Sequence, residues 1–122
     1  MENLFLDANV ICDIFARDKY HLLKKFANDK IYISALSLHI LCYAGKIVMP
    51  DEEMLRKFDK MNIVDLSSQI AERAFLGPTK DYEDNIQLHS CAICLADIFY
   101  TSDKGLLKLG YFGSTQIKAL EG

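Results

Sequence analysis

Short apolar runs alternate with amphipathic stretches along this chain. Asn3–Leu6 is an apolar run of strand type. Ala8–Ala16 follows, with Val10, Ile11, Ile14 and Phe15 at helical spacing. Asp7 between them is a candidate N-cap. Asp18–Asn28 predicts a second helix, with Tyr20, Leu23, Phe26 and Ala27 on one side. Ile31-Tyr32-Ile33 is rich in β-formers and predicts a second strand. Ser34 or Ser37 then starts a helix running to about Tyr43, and Gly45 helps to stop it. Pro50 followed by Asp51, Glu52 and Glu53 is a helix start, and Met54, Leu55, Phe58 and Met61 give that helix an apolar stripe. Asn62–Leu66 reads as a third strand. Ser67 caps a helix to about Leu76, which Gly77-Pro78 breaks. Asp81–Leu95 is the longest helical stretch, Ile98–Thr101 a fourth strand, Lys104–Leu109 a helical turn ending at Gly110, and Ser114–Leu120 an edge strand. Strands alternating with helices predict an α/β fold around a mostly parallel sheet.

The Asp81–Leu95 helix is apolar on two sides. At about 100° per residue, Tyr82, Ile86, His89 and Ile93 share one face, and Leu88, Cys91, Ala92 and Leu95 nearly the opposite one. Such a helix is expected to be largely buried. Asp81 and Asp84 are neighbours one turn apart at its start, while Glu83 points elsewhere and is expected to be solvated.

The 122 residues suit a single domain, spanning 1–122, and no repeat or linker divides them. With 51% hydrophobic and 25% charged residues the chain reads as soluble and globular. No apolar stretch approaches the roughly 20 residues of a membrane span. Met1-Glu2-Asn3 has no basic segment of signal-peptide type. A cytoplasmic location is the expectation, without membrane association. The net charge of −3 and the scattered lysines and arginines form no dense basic patch. Cys12 and Cys42 read as small core residues. Cys91 and Cys94 form a CxxC in mid-helix, where no helix N-terminus stabilises a thiolate. A second pair of zinc ligands is lacking, so all four cysteines are expected as packed thiols.

Candidate chemistry lies in four aspartates where strand gives way to helix: Asp7, Asp81, Asp84 and Asp103. The carboxyl edge of a parallel sheet is where ligands bind. Carboxylates gathered there repel one another, and a hard cation such as Mg²⁺ or Mn²⁺ relieves the repulsion. The set therefore points to a metal-dependent phosphodiesterase, with RNA as the leading substrate. For Asp81 and Asp84 the simpler alternative is that they cap and charge the first helical turn. His21, His39 and His89 have no metal-motif spacing, and His89 is expected as a bonded core histidine. Ser34 has no base beside it and reads as a helix cap.

These residues resemble the PIN domain, of the type found in VapC-like toxins of toxin–antitoxin pairs. Leu6-Asp7-Ala8-Asn9-Val10 is similar to that family's opening LD-x-N motif. Ile33-Ser34-Ala35-Leu36-Ser37-Leu38-His39 is similar to its second-strand-to-helix segment. Asp81-Tyr82-Glu83-Asp84 followed by Gln87 looks like the D-[FY]-E-D-x-x-Q motif of one subgroup. Ala96-Asp97-Ile98 with Thr101-Ser102-Asp103 is similar to its closing motif. The resemblance spans nearly the whole chain. It implies a three-layer Rossmann-like fold, Mg²⁺ or Mn²⁺, single-stranded RNA as substrate and an antitoxin protein as partner. It carries catalytic metal-ligand roles onto Asp7, Asp84 and Asp103, and carboxylate-orienting roles onto Asn9 and Thr101. Many members place a Glu in the helix after the second strand; here that position is Ile40. Asp81 is the expected substitute ligand, and weak activity the expected consequence.

Two other classes compete. One is a degenerate PIN domain that binds RNA or a protein without cutting. The other is a receiver domain, which expects adjacent acids after its first strand; this chain has Asp7 alone there. Tyr111 and Phe112 are candidates for a homodimer contact, an antitoxin groove or the closing of the core, and the sequence leaves these open.

Overall fold

The structure, a computed structural model, describes residues 1–120. Its elements are β1 (Asn3–Leu6), α1 (Ala8–Phe15), a 3₁₀ helix (Tyr20–Phe26), β2 (Lys30–Ser34), α2 (Ala35–Ala44), α3 (Glu52–Lys57) and β3 (Asn62–Val64). They continue with α4 (Ser68–Arg73), a 3₁₀ turn (Ala74–Leu76), α5 (Tyr82–Ile93), β4 (Ile98–Tyr100), α6 (Lys104–Leu109), β5 (Tyr111–Phe112) and β6 (Thr115–Lys118). The six strands form one sheet in the order β3-β2-β1-β4-β6-β5, parallel except for β5. The α/β class with a mostly parallel sheet is thus the one observed.

Strand alternation makes three layers. Leu4 and Leu6 of β1, with Ile98 and Tyr100 of β4, meet α1 residues Val10, Ile11 and Ile14 on one side. Phe5 and Phe99, the intervening residues, face the other side with Leu88 and Cys91 of α5 and Leu106 of α6. Successive side chains of a strand point to opposite faces, so the one three-residue register between β1 and β4 supplies both cores. Phe5 and Phe99 stack across the β1–β4 pair, centroids 5.5 Å apart and planes 8° from parallel.

The chain runs outward from β1 to β2 and β3 on one side, then returns to β4 and β6 on the other. The order therefore reverses between β1 and β4. A crevice outside the carboxyl ends of two such strands is the usual ligand position in an open α/β sheet. Asp7 follows β1 there, and Thr101 follows β4; Asp7 N–H donates to Tyr100 O at 3.0 Å and continues the pairing.

Several expected elements differ. The helix expected over 18–28 is the shorter 3₁₀ helix. Asp18 takes a left-handed conformation, φ 58°, which interrupts helical propagation. The spacing of Tyr20, Leu23 and Phe26 is three, which lines up in a 3₁₀ helix, and all three pack on the main core. The third strand stops at Val64 rather than Leu66. The expected edge strand over 114–120 is an interior one: β6 lies between β4 and β5. Gly113, φ 61°, and Ser114 form a two-residue hairpin loop that brings Tyr111-Phe112 alongside as the edge. Tyr111 is exposed, whereas Phe112 packs on the α5-side core.

The α5 helix is also less apolar inside than expected. Ile93 and Leu95 are exposed, the latter beyond the helix end with φ 54°. Polar Asn85, Gln87 and Ser90 are buried instead. Gln87 pairs with buried Ser37 of α2 at 3.0 Å, which satisfies both side chains across 50 residues of sequence. Cys12 and Cys91 are buried, Cys42 and Cys94 half-buried, and all four are free thiols. Burial pushes Cys91 up to about 12 and Cys94 up to about 11, so neither is a thiolate. His89 is half-buried, its Nε2 2.8 Å from Gly77 O, with Phe112 edge-on to its ring. Among the described residues no helix is long and apolar enough to cross a membrane.

Because Phe99 is fully buried at the contact between sheet and α5, Phe99→Ala should cost about 3–5 kcal/mol. A urea denaturation midpoint equal to that of the wild type would contradict this packing.

Candidate active site

The core of the site is Asp7, a carboxylate only 3% exposed. A buried carboxylate needs hydrogen bonds or a partner charge. Here it accepts three bonds. Ala8 N–H donates to Oδ1 at 2.8 Å, Thr101 Oγ1 donates to Oδ2 at 2.7 Å, and Asn9 Nδ2 donates to Oδ2 at 3.1 Å. The Ala8 bond also makes Asp7 the N-cap of α1. Burial pushes the carboxyl up to about 6, against the pull of Thr101 and Ala8, and the charges of Asp103 and Glu83 push the same way.

Thr101 and Asn9 couple this carboxylate to the opposite strand end. The Thr101 hydroxyl, fully buried, also accepts the Asp103 N–H at 3.0 Å. The Asn9 side-chain carbonyl accepts the Ser102 N–H at 3.2 Å. Asp103 in turn caps α6, its Oδ2 accepting from Leu106 N–H at 2.9 Å. A Cβ on Gly105 would come within 3.2 Å of that oxygen, so glycine leaves the Asp103 carboxylate room over the helix start.

The third acid comes from α5. Asp81 is exposed and caps this helix, its Oδ1 accepting from Asp84 N–H at 2.8 Å. Asp84 is half-buried, and among the described residues none donates a hydrogen bond to its carboxylate. Burial pushes it up to about 7, followed by the charges of Asp81, Asp7, Asp103 and Glu83. Asp7, Asp84 and Asp103 thus share one electrostatic neighbourhood, contributed by three elements far apart in sequence. Arg17–Asp13 is the only ion pair among the described residues, so none of these acids is paired with a cation there.

Two residues have roles that the sequence reading did not give them. Glu83 is exposed, as expected of a solvated acid, yet its charge acts on both Asp7 and Asp84. Asn85 is buried and fixes the turn that delivers α5: its Nδ2 donates to Ala74 O and Thr79 O, and its Oδ1 accepts from Thr79 N–H and Oγ1. The available signal was an Asn inside a helix, where its side chain competes with the backbone unless it has a fixed role. By contrast Asp97, within the closing motif, lies at the other end of β4 and accepts from Asn3 N–H at 2.9 Å. Ser34 caps α2, accepting from Leu36 N–H at 3.1 Å. Ile40 packs half-buried against the α1-side core.

The donor set suits a hard divalent cation: all-oxygen, acidic, with one carboxylate lacking any donor. Its charges are close enough to raise Asp84 and Asp7. Among the described residues, however, no three of His, Cys, Asp and Glu converge into a ready-made cage.

The raised values of Asp84 and Asp7 set a pH dependence. Unfolded, each carboxyl titrates near 3.8; folded, at about 7 and about 6. The folded chain therefore holds protons that the unfolded chain has released. The resulting stability is complete below about pH 4 and is lost as pH rises through about 6 to 7. In EDTA, Asp84→Asn should melt above the wild type at pH 8, with the gap closing by pH 4. A gap independent of pH would contradict the shift.

No family model matches the sequence, and no curated protein matches it. Solved structures do match its shape. A chain of the VapBC2 complex from Rickettsia felis, solved bound to a DNA fragment from its promoter, has a TM-score of 0.67 at 16% identity, over 98% of this chain and 99% of that one. A domain of a functionally unknown protein from Methanocaldococcus jannaschii DSM 2661 has a TM-score of 0.61 at 19% identity, over 100% of this chain and 93% of that one. At such identities the likeness speaks for the fold, which is the mostly parallel, Rossmann-like arrangement of PIN type.

Proposed function

We propose that this protein is a metal-dependent endoribonuclease that hydrolyses single-stranded RNA, the toxin of a toxin–antitoxin pair with an antitoxin protein as its partner. The observation that carries this reading is the acid cluster at the β1–β4 switch point, where among the described residues Asp84 has no hydrogen-bond donor and no ion-pair partner and is raised to about 7. The fold likeness to a VapBC chain supports the toxin–antitoxin setting.

Asp7, Asp84 and Asp103 would hold Mg²⁺ or Mn²⁺, with the uncommitted oxygen of Asp81 contributing directly or through water. When bound, such an ion activates a water and neutralises charge on the phosphate. The residues of the chain prepare for this. Thr101 and Asn9 lock the Asp7 carboxylate in one orientation, which lowers the ordering cost of ligation. Burial of Asp7 keeps bulk water from its inner side. Asp84 must release a proton before it serves as a ligand, so affinity should climb as pH rises toward about 7.

An alternative is a PIN domain that binds RNA or a protein without cutting. Ile40 favours it: an apolar side chain packed on the core stands where an acidic ligand is expected.

Mn²⁺ titration followed calorimetrically should show binding that Asp7→Asn and Asp103→Asn each abolish, and a labelled single-stranded RNA should be cut in a reaction that EDTA stops. Unchanged Mn²⁺ affinity in both variants would sink the metal assignment. Intact Mn²⁺ binding without cleavage of any RNA would leave the binding module.

Asp81 and Glu83 separate in the same titration. Asn caps a helix as well as Asp, so Asp81→Asn removes charge and keeps the helix start. It should weaken Mn²⁺ binding more than Glu83→Gln does. Equal, small effects would leave Asp81 as a cap alone.

A further inference from the structure

A cavity of about 440 Å³ adjoins the acid cluster, sharing the Thr101–Ser102 turn with it. That turn is the one whose hydroxyl donates to Asp7 and whose Ser102 N–H is held by Asn9. Lys19 and His21 line the cavity from the 3₁₀ segment after α1. Both are exposed, and among the described residues neither makes an ion pair. The one acid in the wall, Asp13, is paired with Arg17. The basic groups are therefore not cancelled from within. Val10, Leu22 and Leu120 supply an apolar wall.

We propose that this cavity is a nucleotide subsite. It takes the phosphate of a single-stranded RNA residue on Lys19 and His21, and the adjoining sugar or base on the apolar wall, one step along the strand from the bond at the acid cluster. Three features support it. The volume lies within the range of small-ligand pockets, roughly 300–1,000 Å³. A cation next to an apolar wall matches a phosphate next to a base. The cluster itself repels phosphate, so a strand needs a positive hold close beside it. The subsite also accounts for how a chain of net charge −3 could retain RNA without a broad basic patch.

The inference rests on the hydrolytic reading of the acid cluster, and its test is separate. Anisotropy of a fluorescent single-stranded RNA is measured in EDTA, at several salt concentrations, for the wild type and for Lys19→Ala with His21→Ala. Lys60→Ala serves as a charge control, since Lys60 lines a different cavity. The double variant should bind about tenfold more weakly, with a salt slope shallower by about 0.7 for each phosphate it no longer neutralises. It should keep wild-type Mn²⁺ affinity, and Lys60→Ala should bind RNA as the wild type does. Equal affinity and slope in double variant and wild type overturn the subsite, as does a wild type that binds no RNA. Tighter, Lys19- and His21-dependent binding of oligoglutamate also overturns it, in favour of an acidic peptide. RNA binding that needs Lys19 and His21 in a protein that never cuts keeps the subsite and removes the hydrolytic reading.

Discussion

Asp7 ends the central strand with almost no access to water, and this position constrains much of what surrounds it. A carboxylate there is tolerated only with donors on both oxygens. Ala8, Asn9 and Thr101 are those donors. Two are local, set by the start of α1. The third comes from 94 residues away, so it exists only when β1 and β4 are paired in register. The stacking of Phe5 on Phe99 secures that pairing. Core packing and the orientation of the site are thus two results of one strand pair.

Around Asp7 the molecule gathers acids that no ion pair among the described residues neutralises. Asp103 and Asp81 are partly accounted for as helix caps, because a carboxylate at a helix N-terminus meets free N–H groups and a favourable dipole. Asp84 has no such role. It stands above the usual carboxylate range because burial and four other acids act on it together. Perturbed acids of this kind gather at functional sites more often than elsewhere. Capping explains why the acids are placed at helix starts, and their convergence on one sheet edge is what points to chemistry.

The buried polar residues of α5 show how the site is held in place. Asn85 ties the helix start to the 74–79 turn, and Gln87 ties it to Ser37 of α2. These bonds fix where Asp84 stands relative to Asp7. They also explain why an apolar reading of this helix exchanged inside for outside at several positions. Ile93 and Leu95 lie exposed at its carboxyl end, while its amino-terminal half is clamped by amides.

What the sequence by itself determined was local. The apolar runs placed β1, β2 and β4, and Asp7, Ser34 and Ser67 were legible as the caps they are, as was Asp81 in its alternative reading, whereas the caps Asp51 and Asp103 were not read as such. Such signals are legible because they act over three or four residues. The Asp at the end of a strand was legible for the same reason, and so was the turn to an α/β class. Only the tertiary structure decided which acids share a field, that Glu83 acts on Asp7 and Asp84, and that β6 is an interior strand. It alone placed Lys19 and His21 beside Thr101. These facts depend on strand order and on contacts between distant segments. The order in which parallel strands assemble is set by the packing of the helices that cross between them, which no short window of residues records.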